Sequence, residues 1–499
     1  MSISKKDNLY NLIKSLTKNE KKYLRDFLKR ETGTKLYLLL FNKIDQQSKH
    51  QKMDIKKAFD TKANQLPVIR SYLFKLIQKI LNLYHRESTN FDVLYNNFLE
   101  VNRLLQRDLY DLAESKIARS LTMAKKSSSP FDQLHALEFQ KQFLLKKFGA
   151  TSENTKKEIV AIIDNQNELL DQIHNLNELQ AVQATFYEHF QHSSGLNPLI
   201  YTTLDKEPLL QDEKKALTFP AKLLQADLNY RLHIYKDKNF AEADRATQKA
   251  LRQMESSPEL IHDQPQQYLN LLNQRLQLLI HQKKISEIQN ILAQIRQAPT
   301  TYAFDPREPA LRRPLMEAEA LELNIYGQTG DHAKASHLIK KIIASYPELN
   351  SPLLRQWRTV MNYEIAKYYF STRQLAEAME KLKEIDRTEH SQRESEVLRR
   401  SILLRAQIAL LQKNNLELRK TSLALKNFYL NEKKPTRLEK NLLVFLELWP
   451  SCSASPRKQP RLQSQLTRIQ SAARQKSAPD LEDLLEWLAA FCEQQQITR

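Results

Sequence analysis

The chain has 499 residues, 41% of them hydrophobic, and a formal net charge of +19. Only five residues are glycine, against an average usage of about 7% in proteins. Sheet turns and nucleotide-binding loops both need glycine, which argues against a β protein and against an α/β nucleotide enzyme. Two cysteines likewise argue against a disulfide framework or a zinc cage. The abundance of Leu, Lys, Gln, Ala and Glu, all good helix formers, predicts an all-α fold.

Basic charge is concentrated towards the two ends of the sequence. Residues 1–87 hold 20 Lys and Arg against 8 Asp and Glu, and residues 450–479 hold six basic residues and no acidic one. Residues 480–499 carry a net charge of −4, which leaves only +5 for residues 88–449. We therefore expect a basic helical domain (1–87), a nearly neutral repeat array (88–449), a basic flexible linker (450–479) and a C-terminal amphipathic helix (480–499). A nucleic-acid partner would bind where the basic charge is concentrated.

The first domain has the pattern of a small helical bundle. Thr17 and Glu20 fit a capping box, in which each side chain accepts a hydrogen bond from the backbone N–H of the other residue. A third helix is predicted over residues 35–47 and a short one over residues 54–61. A long helix follows Pro67, with a broad apolar face made of Ile69, Tyr72, Leu73, Leu76, Ile77, Ile80 and Tyr84.

Two helices of this bundle carry basic stripes at matching spacing, i, i+4, i+7 and i+11. The stripes consist of Lys18, Lys22, Arg25 and Lys29 on one helix and of Lys75, Lys79, Asn82 and Arg86 on the other. Such a stripe can contact phosphate groups or an acidic protein, but it can equally be the solvated side of an ordinary amphipathic helix. No base-reading or aromatic-stacking pattern accompanies the stripes, so a nucleic-acid contact would be made to the backbone.

Residues 88–449 contain a repeated helical hairpin. Tyr326 and Ala335 recur 43 residues later as Tyr369 and Ala378, each pair separated by a short polar turn. We expect the small residue of the second helix to lie buried where the two helices approach closely. Similar inter-helix turns align at Tyr110-Asp111-Leu112-Ala113, Phe240-Ala241-Glu242-Ala243, Ile285-Ser286-Glu287-Ile288, His332-Ala333-Lys334-Ala335, Leu375-Ala376-Glu377-Ala378 and Leu416-Glu417-Leu418-Arg419.

The hairpins resemble tetratricopeptide-type repeats. Tyr326, Ala335 and Pro347 stand where that family has tyrosine, alanine and proline. Glu322 and Leu323 replace its leucine-glycine pair, and a period above 40 residues exceeds its 34. The resemblance implies a solenoid of degenerate, lengthened hairpins with a concave groove. The opening stretch, residues 12–23, is also similar to uncharacterised bacterial helical-repeat proteins, a likeness that implies no function.

The C-terminal region is predicted to be a linker followed by a helix. Residues 450–479 are rich in Ser, Gln, Pro and Arg, a composition typical of flexible segments, although Leu462, Leu466 and Ile469 keep helical spacing. A final helix beginning near Asp480 is expected to cover the apolar face of the last repeat, as terminal elements of repeat arrays do. A tethered partner-binding helix is the alternative.

No catalytic constellation accompanies this architecture. The sequence lacks a Gly-rich phosphate loop, a nucleophile elbow and a His-Glu-x-x-His motif, so we expect no enzyme activity, cofactor, metal or small-molecule substrate. It also lacks a signal-peptide pattern and an apolar run of about 20 residues, which predicts a cytoplasmic protein without a membrane partner. Two functional hypotheses remain: a scaffold that binds a protein partner, and a basic adaptor that docks on nucleic acid or ribosomes.

Overall fold

A computed structural model gives the fold of the chain. It describes residues 7–30, 35–47, 65–86, 90–127, 129–148, 152–192, 204, 206–234, 239–346, 352–386, 395–431, 435–452, 459–475 and 482–494. Within these ranges the chain forms 23 α-helices, one short 3-10 helix (Glu213–Lys215) and no strand, which confirms the all-α prediction. The short helix predicted over residues 54–61 lies outside the described residues.

The first fourteen α-helices span the chain from residue 8 to residue 301. They are α1 (Asn8–Ser15), α2 (Lys18–Arg30), α3 (Lys35–Gln46), α4 (Leu66–Tyr84), α5 (Asn90–Leu105), α6 (Tyr110–Lys126), α7 (Pro130–Phe148), α8 (Glu153–His192), α9 (Pro208–Gln211), α10 (Phe219–Leu232), α11 (Phe240–Glu255), α12 (Pro258–Asp263), α13 (Pro265–His281) and α14 (Ile285–Thr301).

Nine further helices follow. They are α15 (Pro309–Thr329), α16 (His332–Ser345), α17 (Pro352–Ser371), α18 (Leu375–Asp386), α19 (Ser395–Leu411), α20 (Asn415–Asn431), α21 (Arg437–Cys452), α22 (Gln459–Gln475) and α23 (Glu482–Gln494). None of the helices in the described ranges combines the length and the apolar content that crossing a membrane requires.

The chain divides into two compact units that differ from the domains we predicted. The first contains Met1–Thr185, Tyr201–Ala318 and Asn350–Pro352, and the second contains Phe186–Ile200, Glu319–Leu349 and Leu353–Arg499. The predicted boundary at residue 87 therefore falls inside the first unit, because α5 and the helices after it pack in the same unit as the basic bundle.

Helices α1 to α4 form a bundle around one apolar core in the first unit. Ile13, Leu24, Phe41 and Ile77 are fully buried in that core. The predicted capping box starts α2: Thr17 N–H donates to Glu20 Oε2 (2.6 Å) and Glu20 N–H donates to Thr17 Oγ1 (3.3 Å).

Tyr72 is the exception to the apolar face predicted for α4. Its side chain is 52% exposed, and its ring stacks on that of Tyr37 at a centroid distance of 4.8 Å. The ring therefore lies at the edge of the bundle, where one side of an aromatic side chain can pack while the other meets water.

Five hairpins turn in the same way. The residue two positions before each second helix has a positive φ between 54° and 74°: Asp108, Lys283, Gly330, Arg373 and Lys413. In each turn the next N–H donates to a carbonyl five residues back, over 2.8–3.1 Å, which is the Schellman pattern that satisfies free carbonyls at a helix end. The second helices begin at the predicted segments, except that α20 begins one residue earlier, at Asn415.

The fourth residue of each second helix is buried. Ala335 and Ala378 have no exposed surface, as the close-approach argument predicted. The equivalent residues elsewhere in the ladder are at most 3% exposed: Ala113, Ala243, Ile288 and Leu418. Because this residue faces the first helix of the same hairpin or a neighbouring helix, a charged or bulky polar side chain cannot be accommodated there.

The flexible linker predicted over residues 450–479 is wrong for most of its length. Helix α21 continues through Pro450 to Cys452, and α22 occupies residues 459–475. Leu462, Leu466 and Ile469 are at most 4% exposed and pack in the same core as Phe445 and Phe491. Apolar spacing therefore outweighed composition, because three buried side chains at i, i+4 and i+7 suffice to dock a helix whose other face is polar.

Helix α23 joins the same core in the second unit. Phe491 is buried, and its ring lies 5.3 Å from the ring of Trp449 and 5.0 Å from that of Trp487. This terminal helix spans Glu482–Gln494, whereas the predicted start at Asp480 lies outside the described residues.

A fully buried ion pair ties α19 to the start of α21. Arg399 Nη1 donates to Glu439 Oε1 over 2.5 Å, and both side chains are only 2% exposed. The other carboxylate oxygen, Oε2, accepts a hydrogen bond from Thr436 N–H (2.7 Å) in a second capping box. Glu439 thus neutralises the buried Arg399 guanidinium of α19 and also caps its own helix, α21.

Glycine should stabilise the hairpin turns that lack it. We expect Lys413→Gly to raise the free energy of unfolding by up to about 1 kcal/mol, because glycine adopts positive φ without a steric penalty. Gly330→Ala should lower it by about 1 kcal/mol through backbone strain alone, since no atom lies within 4 Å of the added Cβ. All three tryptophans belong to the second unit, so denaturant unfolding followed by tryptophan fluorescence reports these turns.

The matched control is Lys420→Gly, the same substitution inside α20. It should destabilise the unit by about 1 kcal/mol, because glycine is a poor helix former. If Lys413→Gly and Lys420→Gly shifted the unfolding midpoint in the same direction, the positive φ of the turn would not explain the effect of Lys413→Gly.

Removing the buried carboxylate should be far more damaging than removing the hydroxyl beside it. Glu439→Ala removes the carboxylate that contacts the buried Arg399 guanidinium and should destabilise the second unit by about 3–5 kcal/mol. Thr436→Ala removes only one capping bond and should cost about 1 kcal/mol. The same fluorescence measurement compares the two variants, and equal effects would refute a structural role for the ion pair.

Candidate functional site

The four basic residues predicted on α2 do not form one uniform surface. Lys18, Lys22 and Lys29 are exposed, whereas Arg25 is half-buried and turned towards α3. The Arg25 guanidinium pairs with the Asp45 carboxylate, and its Nε donates to Asn42 Oδ1 over 3.1 Å. Arg25 therefore links two helices of the bundle and is not part of a uniform basic surface with the three lysines.

The predicted residues on α4 come together in one cleft. Lys75, Lys79, Asn82 and Arg86 are exposed and line an open cleft of about 510 Å³ between α4 and α5. We call it the basic cleft. Its lining contains none of the four α2 cations, so the two stripes do not merge into one site. Among the described residues, the lining consists of Lys75, Gln78, Lys79, Asn82, Leu83, Arg86, Asn96, Leu99, Glu100 and Arg103.

Helix α5 supplies the half of the basic cleft that the sequence did not reveal. Asn96, Glu100 and Arg103 lie on one face of α5 at i, i+4 and i+7, and Asn96 Nδ2 donates to the carbonyl oxygen of Arg86 over 2.6 Å. The polar spacing on α5 was visible in the sequence. Its packing beside α4 was not, and a domain boundary placed at residue 87 separated the two halves.

Glu100 is the acidic centre of the basic cleft. It accepts a hydrogen bond from Arg86 Nη2 (2.6 Å) and another from Lys116 Nζ of α6. The hydrogen bond from Lys116 lowers the pKa of Glu100, and the charges of Lys116, Arg86 and Arg103 lower it further against the opposing effect of burial. The carboxylate therefore keeps its charge to a lower pH than an ordinary glutamate and competes with any external anion for Arg86.

Three cations of the basic cleft have no carboxylate partner within the described ranges: Lys75, Lys79 and Arg103. With Arg86 they outnumber Glu100, the one carboxylate among the described lining residues, by four to one. Side-chain amides of Gln78, Asn82 and Asn96 add hydrogen-bond donors at the same place. This combination suits several oxygens of an anion such as a phosphate diester or a run of carboxylates.

Two of the basic residues near the C-terminus belong to the second unit. Arg461 and Arg468 are on the exposed face of α22, in the second unit, while the side chains of the other basic residues of 450–479 lie outside the described ones.

Among the described residues no group of three or more His, Cys, Asp or Glu side chains is arranged to hold a metal ion. Both cysteines are buried, and burial raises the pKa of the Cys492 thiol to about 12, so that it stays protonated at neutral pH.

Comparison of the chain with models of protein families, with curated proteins and with solved structures finds no match.

Charge reversal inside the basic cleft should weaken polyanion binding. We expect the double variant Lys75→Glu/Lys79→Glu to bind inorganic polyphosphate at least about tenfold more weakly in calorimetric titration, because two attractions become repulsions. Lys22→Glu/Lys29→Glu makes the same change in net charge outside the cleft and should have a much smaller effect. Equal losses in the two variants would mean that only net charge matters.

Glu100→Gln should act in the opposite direction. It removes the carboxylate that competes for Arg86 and Lys116 while keeping a side chain of similar size, so the affinity for polyphosphate should rise several-fold. The same titration measures the gain, and unchanged affinity would show that Arg86 does not contact the anion.

Proposed function

We propose that this chain is a non-enzymatic, cytoplasmic scaffold or adaptor that binds a protein partner along its helical repeats. The observation that supports the proposal is the hairpin ladder: five turns share one backbone conformation, and six second helices bury their fourth residue. Repeated hairpins cannot bury their apolar faces alone, so neighbours stack and leave long exposed surfaces.

The proposal includes tetratricopeptide-like stacking of the hairpins. In arrays of that kind a peptide or a helix of another protein binds through contacts spread over many side chains. Such binding requires no cofactor, metal ion, small-molecule substrate or membrane.

Affinity purification of the tagged full chain from its native host tests the scaffold function. We expect one or more protein partners to be recovered in near-stoichiometric amounts and to persist after nuclease treatment, because helix–groove contacts do not depend on nucleic acid. The Lys75→Glu/Lys79→Glu variant is the matched control and should retain these partners. Recovery of no protein above an untagged background would contradict the proposal.

A second candidate function is a basic adaptor that docks on nucleic acid or on ribosomes. The observation that favours it is the convergence of Lys75, Lys79, Arg86 and Arg103 in the basic cleft. The full chain should then bind a single-stranded oligonucleotide with an affinity that falls steeply as salt rises, and Lys75→Glu/Lys79→Glu should flatten that dependence. Because the basic cleft uses residues on both sides of residue 87, the assay requires the full chain. Binding that is insensitive to salt would exclude this function, and partners that survive nuclease but are lost in the variant would indicate an acidic protein.

A further inference from the structure

Helix α20 carries an exposed leucine ridge. Leu416, Leu423 and Leu430 are 66%, 59% and 76% exposed, and we call these three residues the leucine ridge. They are spaced by seven residues, which is nearly two helical turns, so they lie almost in line along about 21 Å of the helix. The opposite face of α20 is buried, through Leu418, Thr421, Ser422, Leu425, Phe428 and Tyr429.

The hairpin fold does not require leucine at these positions. Helices α16, α18 and α20 follow the same kind of turn, in which one residue has a positive φ and is called here the left-handed residue. Residues of the three helices correspond when they lie the same number of positions after that residue. The equivalents of Leu416 are Ala333 and Ala376, and those of Leu423 are Lys340 and Lys383; all four are exposed. The position of Leu430 lies beyond the ends of α16 and α18. The leucine ridge is therefore an addition to the repeat and not part of its core.

Basic side chains flank the leucine ridge on the same helix face. Arg419 and Lys420 lie three or four residues from both Leu416 and Leu423, and Lys426 lies between Leu423 and Leu430. All three are exposed and have no carboxylate partner in the described part of the chain, and Lys413 adds a fourth such cation just before the helix. An apolar line between unpaired cations is complementary to an apolar line between carboxylates.

We propose that the leucine ridge binds an acidic amphipathic helix of another protein, with leucine-like side chains against the ridge and Asp or Glu against the flanking cations. The proposal rests on the scaffold function and gives that function a location and a class of partner. Such a helix would need about 15 residues to cover the ridge.

Two other occupants fit the surface less well. Symmetric pairing with a second copy would place Arg419, Lys420 and Lys426 of one copy next to the same residues of the other copy, and these like charges repel each other. A membrane surface favours a broad apolar face with aromatic residues, whereas the leucine ridge is one residue wide.

Fluorescence anisotropy with the full chain tests the proposal. The probe is a labelled, capped 18-residue helical peptide with two leucines per heptad flanked by glutamate, and the comparison probe replaces every glutamate by lysine. We expect the glutamate peptide to bind at least tenfold more tightly than the lysine peptide. Leu416→Ala/Leu423→Lys, which installs the residues that α16 has at these positions, should weaken that binding at least tenfold.

Two further variants complete the design. Arg419→Gln/Lys420→Gln should weaken binding and reduce its salt dependence, while Leu112→Ala, at another exposed leucine on α6, should leave it unchanged. Circular dichroism and the unfolding midpoint confirm that each variant is folded.

Several outcomes would overturn the proposal: no binding of the glutamate peptide by the wild-type chain, equal binding of both peptides, or binding unaffected by Leu416→Ala/Leu423→Lys. Self-association or binding to phosphatidylglycerol vesicles that is lost in the same variant, in place of peptide binding, would also overturn it. If the chain recovers host partners but does not discriminate the peptides, the scaffold function stands and only this surface is refuted.

Discussion

Close approach of the two helices in each hairpin is the constraint on which this structure depends. An α-helix in water is marginal alone and gains its stability by burying an apolar stripe against a neighbour. At the start of each second helix that burial falls on a single residue, which is alanine at four of the six positions and a larger apolar side chain at Ile288 and Leu418. At five of the six positions a Schellman turn places this residue against its neighbours by reversing the chain in two or three residues, and it satisfies the carbonyls that the reversal would otherwise leave free.

Much of this arrangement could be predicted from the sequence, because the signals are local. Apolar spacing, a capping box and a polar turn all act within about ten residues, and they located the capped start of α2 and the starts of the second helices. Composition was a weaker guide: Ser, Gln, Pro and Arg suggested a linker where Leu462, Leu466 and Ile469 dock α22 into a core. Three buried apolar side chains dock a helix even when its mean composition is polar, because that mean includes the residues on the solvent-exposed face.

The candidate site was predicted only in part, because its geometry depends on which helices are neighbours. Arg25 and Lys75 both occupy basic stripes at the same spacing, yet Arg25 faces Asp45 of α3 while Lys75 faces an open cleft. The polar spacing of Glu100 and Arg103 is visible in the sequence, but it indicates no site until α5 is known to line the same cleft as α4. Sequence periodicity predicts which face of a helix a cation occupies. Only the tertiary structure shows whether a carboxylate of a neighbouring helix pairs with it.

The uniform turns also show where the variation in repeat length does not arise. The left-handed residues of the last four such turns are 47, 43 and 40 residues apart, although the turns themselves are the same. The variation must therefore arise in helix lengths and in the segments that connect one hairpin to the next. Insertions and deletions can accumulate there without disturbing helix pairing, so distantly related chains of this architecture are better aligned by superposing their left-handed residues than by assuming a constant repeat length.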